Sequence, residues 1–148
     1  MADRIEKSIE LKAPVERVWR ALTNHEEFGT WFHVRLDGPF VVGETTTGQM
    51  TERNYEHYRW LSTTTRKDEA RREFAFTWVH GEDPAAPRPD EPATLVEFRL
   101  EAAGEGTRLT VVETGFEAIP VERRAAILRG NEKGWGAQMG NIKAYVER

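Results

Sequence analysis

The sequence lacks cysteine altogether. Disulfide bonds, thiolate metal sites and a cysteine nucleophile are therefore excluded. Long apolar runs are also missing, since no stretch approaches the roughly 20 apolar residues of a membrane-spanning helix. The first eleven residues, MADRIEKSIEL, contain no continuous apolar segment of the kind that a secretory leader carries. We therefore predict a soluble cytoplasmic protein without a membrane span.

An excess of positive charge is absent too. The 21 Lys and Arg residues are outnumbered by 25 Asp and Glu residues, which gives a net charge of −4. The densest basic cluster consists of Arg66-Lys67 and Arg71-Arg72, and Asp68-Glu69 interrupt it. Such a mixed cluster is typical of a solvated turn, whereas nucleic-acid binders usually present a basic patch. We predict no nucleic-acid partner.

Motifs for catalysis or metal binding are missing as well. No Gly-x-Ser-x-Gly nucleophile motif occurs, and no histidine pair has the i, i+4 spacing of a helical zinc site. The four histidines are scattered: His25, His33, His57 and His80. We therefore predict no catalytic residue, no metal and no cofactor, and we favour a non-enzymatic function over an enzymatic one.

What the sequence does contain is a regular succession of periodicities. The 148 residues suit a single domain, residues 1–148. Ile5, Ile9 and Leu11 predict a first strand at about residues 3–12, although Lys7 interrupts the alternation. Pro14 favours a helix start. Asn24 is placed to cap a second short helix, with Glu27 at the position of a capping box.

From residue 34 to residue 116 the period is close to two, with glycine-containing turns between short runs. Residues 82–93 hold four prolines and predict a mobile loop without regular structure. After Pro120 the period becomes helical, and one stripe contains Leu128, Trp135, Met139, Ile142 and Val146. The sequence thus predicts an α+β fold with two short helices after the first strand. A curved antiparallel sheet of about six to seven strands packs on a long C-terminal helix.

Four glycines interrupt the predicted final helix: Gly130, Gly134, Gly136 and Gly140. Each glycine inside a helix costs about 1 kcal/mol relative to alanine. Their presence favours a close approach of another backbone or a bend in the helix. The alternative is a break, with the true helix beginning near Asn131 or later.

Several motifs together resemble one known family. They are Ala13–Thr23 (APVERVWRALT), Trp31-Phe32, Phe74–Trp78 (FAFTW), Gly106–Thr110 (GTRLT), Glu113–Phe116 (ETGF), and Gly134-Trp135 with Met139, Ile142 and Tyr145-Val146. In this order they resemble the activator of heat-shock-protein ATPase family of the START-like (SRPBCC) superfamily. The resemblance implies a helix-grip fold and a stress-response co-chaperone as one possible role. This sequence also departs from the common pattern of the family, because many members carry histidine where this chain has Glu113.

The residues predicted to line a cavity between sheet and helix are mostly aromatic. They are Trp31, Trp60, Phe74, Phe76, Trp78, His80, Glu113, Phe116, Trp135 and Met139. Aromatic stripes of this kind also form ordinary cores, and that alternative stays open. His80 lies on the same strand face as Phe74, Phe76 and Trp78, at the end of the strand. Its side chain either points into the opening of the cavity or is exposed to solvent.

Glu113 shares strand parity with Leu109 and Val111, which predicts an inward carboxylate. It is either a polar anchor in an apolar pocket or half of a structural pair, with Arg99 or Tyr58 as the partner. Burial would raise its pKa unless a cation lies beside it.

The sequence is compatible with three functions. The first is binding of a small, mostly hydrophobic molecule under the C-terminal helix. The second is a protein-interaction module that acts on a heat-shock ATPase, as the family resemblance implies. The third is an enzyme that uses the same cavity. The sequence leaves open whether the chain is a monomer or a homodimer.

Overall fold

The computed structural model describes residues 3–148. Seven strands and three α-helices follow one another in the predicted order. The elements are β1 (Ile5–Leu11), α1 (Val15–Thr23), α2 (His25–Phe32), β2 (Val34–Leu36), β3 (Thr45–Met50), β4 (Arg59–Asp68), β5 (Glu73–Val79), β6 (Ala93–Ala103), β7 (Gly106–Thr114), a short 3-10 turn (Phe116–Ala118) and α3 (Val121–Val146).

The strands form one antiparallel sheet in the order β1-β7-β6-β5-β4-β3-β2. All neighbours from β2 to β7 are consecutive in sequence, and the longest connection between them is the proline-rich loop between β5 and β6. β1 joins the edge beside β7, where Ile5 pairs with Glu113 and Leu11 pairs with Thr107. The predicted α+β architecture, with the first strand added at an edge, is therefore confirmed.

The two short helices begin as the sequence indicates, with one difference in the cap. Pro14 precedes α1, and the Asn24 side chain accepts a hydrogen bond from the Glu27 backbone N–H at 3.0 Å. The return bond of a capping box is not made. The Glu27 carboxylate instead accepts hydrogen bonds from Arg17, Arg20 and Tyr145, and so ties α1 and α2 to α3.

Helix α3 is continuous over 26 residues in spite of its glycines. A Cβ atom added at any of the four would meet no heavy atom within 4 Å. The close backbone approach and the break were therefore wrong, because no neighbouring backbone approaches the glycines and the helix does not begin late at Asn131. The glycines lie on exposed positions of the helix. A bend in the helix stays a prediction.

The core lies between the concave face of the sheet and the three helices. Trp135, Met139, Ile142 and Val146 are the buried residues of α3, and all belong to its second half. Residues 121–134 contribute no buried side chain, and Leu128 is only half-buried. Among the described residues, no helix is long and apolar enough to cross a membrane.

Candidate functional site

Glu113 is the most unusual residue of the concave face. Its exposed fraction is 0%, as strand parity with the buried Leu109 and Val111 predicted. Among the described residues, no lysine or arginine forms an ion pair with it, and the nearest basic group is His80 Nε2 at 3.7 Å. The partners proposed from the sequence were wrong. Arg99 is on the outer face beside Glu73, and Tyr58 is exposed.

Uncharged donors from two strands and α3 surround the carboxylate instead. Oε1 accepts from Trp135 Nε1 at 2.9 Å, and Oε2 accepts from Trp78 Nε1 at 2.8 Å. The Thr94 hydroxyl donates to Oε2 at 2.5 Å. Asn131 Nδ2 lies 3.2 Å from Oε1 and 3.1 Å from Oε2. We call these residues, together with His80, the Glu113 cluster.

Burial and hydrogen bonding act on the Glu113 pKa in opposite directions. Burial disfavours the charged form and on its own raises the pKa, but His80 beside the carboxylate and the hydrogen bonds from Thr94, Trp78 and Trp135 together outweigh it. The net pKa is lowered from the ordinary value. The sequence-based expectation was a raised pKa unless a cation lay beside the carboxylate, and the pKa is lowered instead, because His80 and three hydrogen-bond donors stabilise the carboxylate.

His80 closes the cluster on the side of the proline-rich loop. Its side chain is 13% exposed, and Nε2 lies 2.8 Å from the Thr94 hydroxyl. The His80 carbonyl accepts a hydrogen bond from Arg123 of α3 at 3.0 Å. His80 therefore faces inward and is not merely exposed at a strand end.

Aromatic rings occupy the space between the cluster and the rest of the core. Trp78 lies 5.6 Å from Trp135 and 5.4 Å from Trp60, measured between ring centroids. Phe32 touches all three of these tryptophans. The interior is consequently well filled by side chains. Depressions of about 460 Å³ and 430 Å³ lie elsewhere, on the outer face of the sheet and between α2 and β2.

The ten residues predicted to line a cavity all contribute to the interior but do not form one group. Trp78, His80, Glu113 and Trp135 belong to the Glu113 cluster, and Trp60 and Phe76 lie beside Trp78. Phe74 packs further along the sheet on Phe40 and Phe98. The indole N–H of Trp31 donates to the Ala21 carbonyl between α1 and α2. Phe116 and Met139 are buried core residues.

Sequence reasoning missed two members of the cluster. Thr94 has the same strand parity as Val96, Phe98 and Leu100, so extending that alternation by one step would have placed it inside. Asn131 precedes Trp135 by one helical turn, a spacing that puts both on the same face. Both residues are polar, and attention to apolar stripes alone passes over them.

An open antiparallel sheet that wraps a long C-terminal helix, with the first strand at its edge, defines a START-like helix-grip protein. The chain belongs to the family described as Activator of Hsp90 ATPase homolog 1-like protein, whose model matches residues 12–147. No curated protein matches the chain.

Solved structures share the fold at low sequence identity. Protein Ms6760 from Mycobacterium smegmatis has a TM-score of 0.79 and 22% identity, over 98% of this chain and 91% of that chain. The Aha1 dimer from Colwellia psychrerythraea has a TM-score of 0.69 and 17% identity, over 97% of this chain and 96% of that one. DynU16, a protein of the dynemicin biosynthetic locus, has a TM-score of 0.75 and 23% identity over 99% of this chain. This chain spans only 48% of DynU16.

Proposed function

We propose that this chain binds a small, mostly apolar molecule between the sheet and the first half of α3, beside the Glu113 cluster. The observation that carries the proposal is the Glu113 carboxylate, which is 0% exposed and set among aromatic rings. An apolar side chain would fill this position without the desolvation penalty of a charge. A few convergent polar groups in an apolar surround are typical of small-molecule sites.

The route to the cluster runs beneath the first half of α3. Residues 121–134 have no buried side chain, and Trp78, His80 and Asn131 are the partly exposed members of the cluster. Asn131, from this loosely packed part of the helix, is bonded to Glu113. A ligand that enters here displaces side chains that now fill the interior, and the hydrogen bonds of Asn131 are the first to be exchanged.

An NMR titration tests this proposal. The five tryptophans give five indole N–H signals, and two of these groups, from Trp78 and Trp135, donate to Glu113. With 1-indanone as the probe, we expect these two signals to shift in a saturable manner. The signal of the Trp31 indole, which donates a hydrogen bond to the Ala21 carbonyl, should not shift and serves as the internal control. If no indole signal responds at millimolar probe, the proposal is wrong.

A second candidate is a protein-interaction module that acts on a heat-shock ATPase. The filled interior favours it, as do the exposed aromatic rings Tyr55 and Tyr58, which are 51% and 40% exposed and lie 5.5 Å apart. We expect no stimulation of a purified bacterial heat-shock ATPase. A several-fold, saturable rise in ATP turnover, lost in a Tyr55→Ser, Tyr58→Ser variant, would favour this candidate over ligand binding.

A further inference from the structure

The side chain of Thr64 is the second anomaly of the concave face. It is 0% exposed, and within residues 3–148 its hydroxyl has no hydrogen-bond partner. The backbone of the same residue is satisfied, because its N–H donates to the Glu44 carbonyl and its carbonyl accepts from the Gly43 N–H. Only the inward-pointing hydroxyl lacks a hydrogen-bond partner within the described residues. Buried polar groups are almost always paired, so an orphan of this kind needs an explanation.

The register of the sheet places Thr64 in line with Glu113. Glu113 pairs with Val96, Val96 with Phe76, and Phe76 with Thr64. The two polar residues therefore stand on one row of the concave face, three strand spacings or about 14 Å apart. The side chains between them are apolar. A mostly apolar occupant lying along this row would meet a polar group at each end.

Ser62 adds a second hydroxyl next to Thr64. It is two residues away on the same face of β4, is 0% exposed, and pairs with Trp78 of the Glu113 cluster. Its oxygen accepts a hydrogen bond from Trp60 Nε1 at 2.8 Å, which leaves its own hydrogen available to donate. Two inward hydroxyls that can donate thus stand on the same face of β4, and the Ser62 hydroxyl lies at the Trp60 ring.

We propose that Thr64, assisted by Ser62, forms a polar subsite that donates a hydrogen bond to a carbonyl or ether oxygen of the bound molecule. The inference rests on the proposed function and narrows its ligand class to apolar compounds with an oxygen acceptor. A pure hydrocarbon would leave the Thr64 hydroxyl unpaired. A ketone of the same shape satisfies it and is bound more tightly.

The test compares two probes that differ in one oxygen. Indane and 1-indanone are titrated against the labelled protein, and affinities are read from the Trp78 and Trp135 indole signals. The wild-type protein should prefer 1-indanone by about fivefold, the range expected for one neutral hydrogen bond. Thr64→Val keeps the shape and removes the hydroxyl, so the preference should vanish. It should also raise the melting temperature, because an orphan hydroxyl is replaced by a methyl group.

Two further variants serve as controls. Thr65→Val makes the same change at the exposed neighbouring residue and should retain the preference. Thr64→Ser restores the hydroxyl and should also retain it. Equal affinity for both probes in the wild type, or a preference that survives Thr64→Val, would overturn the subsite and leave the proposed function standing. If neither probe moves the two indole signals, the subsite and the proposed function fail together.

Discussion

At the scale of single residues, Glu113 shows what one strand's pattern can and cannot predict. Alternation along β7 placed it inside correctly. Its partners could not be found in the same way, because Trp78 and Trp135 lie 35 and 22 residues away in sequence, on a distant strand and on the final helix. Only the assembled sheet and helix bring these donors to the carboxylate. The direction of the Glu113 pKa shift depends on these donors, so it could not be predicted from the strand pattern either.

Replacing Glu113 with glutamine should destabilise the protein. A glutamine amide presents an NH₂ donor to a site that already holds Trp78, Thr94, Trp135 and Asn131 as donors, so at least two hydrogen bonds to a charged group are lost. We expect a loss of about 3 kcal/mol in the free energy of unfolding, measured with urea. Glu97→Gln, on the exposed face of β6, is the matched control and should change stability by less than about 0.5 kcal/mol. Equal stability of the two variants would contradict the hydrogen-bond assignment.

The lowered pKa of Glu113 also predicts a dependence on pH. A carboxyl group whose folded pKa lies below the unfolded value of 4.5 stabilises the fold fully above that value. This stabilisation is lost as the pH falls through the lower folded pKa. Unfolding free energies measured from about pH 7 to about pH 3 should therefore fall more steeply for the wild type than for Glu113→Gln. Parallel curves would show that the folded pKa is not lowered.

At the scale of elements, α3 is a helix of two unequal halves. Its second half carries the four buried side chains, Trp135, Met139, Ile142 and Val146, and its first half carries none. The apolar stripe in the sequence included Leu128 together with the four residues that are buried, yet Leu128 is only half-buried. Periodicity reports which face a residue lies on, and it does not report whether the sheet extends beneath that part of the helix.

The exposed glycines of α3 give a prediction about its stability. Because no atom lies within 4 Å of a Cβ at Gly136, Gly136→Ala should gain helix propensity without a clash. We expect a stabilisation of about 1 kcal/mol in urea unfolding. Gly29→Ala is the opposite case, since its Cβ would lie 2.2 Å from the Val34 carbonyl oxygen, and it should destabilise. A destabilising Gly136→Ala would mean that a backbone does approach the helix there.

The mobility of the proline-rich connection between β5 and β6 stays a prediction. The connection has no regular structure between Val79 and Ala93, and it is tied at its ends by the bonds Arg59 N–H to Pro84 carbonyl and His80 N–H to Pro92 carbonyl. We expect amide exchange of residues 85–91 to approach that of an unfolded peptide. Strong protection in this segment would instead indicate a lid packed over the Glu113 cluster.

At the scale of the whole molecule, the order of elements could be predicted because each has a strong local pattern. Alternation in β5 to β7, the helical stripe of α3 and the turn residues between them are all local signals. The state of the interior could not be predicted. Phe28, Phe32, Phe40 and Phe98 fill the space that the ten candidate residues alone would leave open, and a stripe of aromatics looks the same in a core and in a pocket.

The central claim is that a small apolar molecule binds beneath α3, and native mass spectrometry on protein purified from its own host tests it most directly. The account predicts a discrete adduct of a few hundred daltons that is released when the protein unfolds. The adduct should be reduced in Glu113→Gln and retained in Glu97→Gln. A wild-type spectrum that shows only the mass of the chain, under conditions that preserve known non-covalent complexes, would contradict the account.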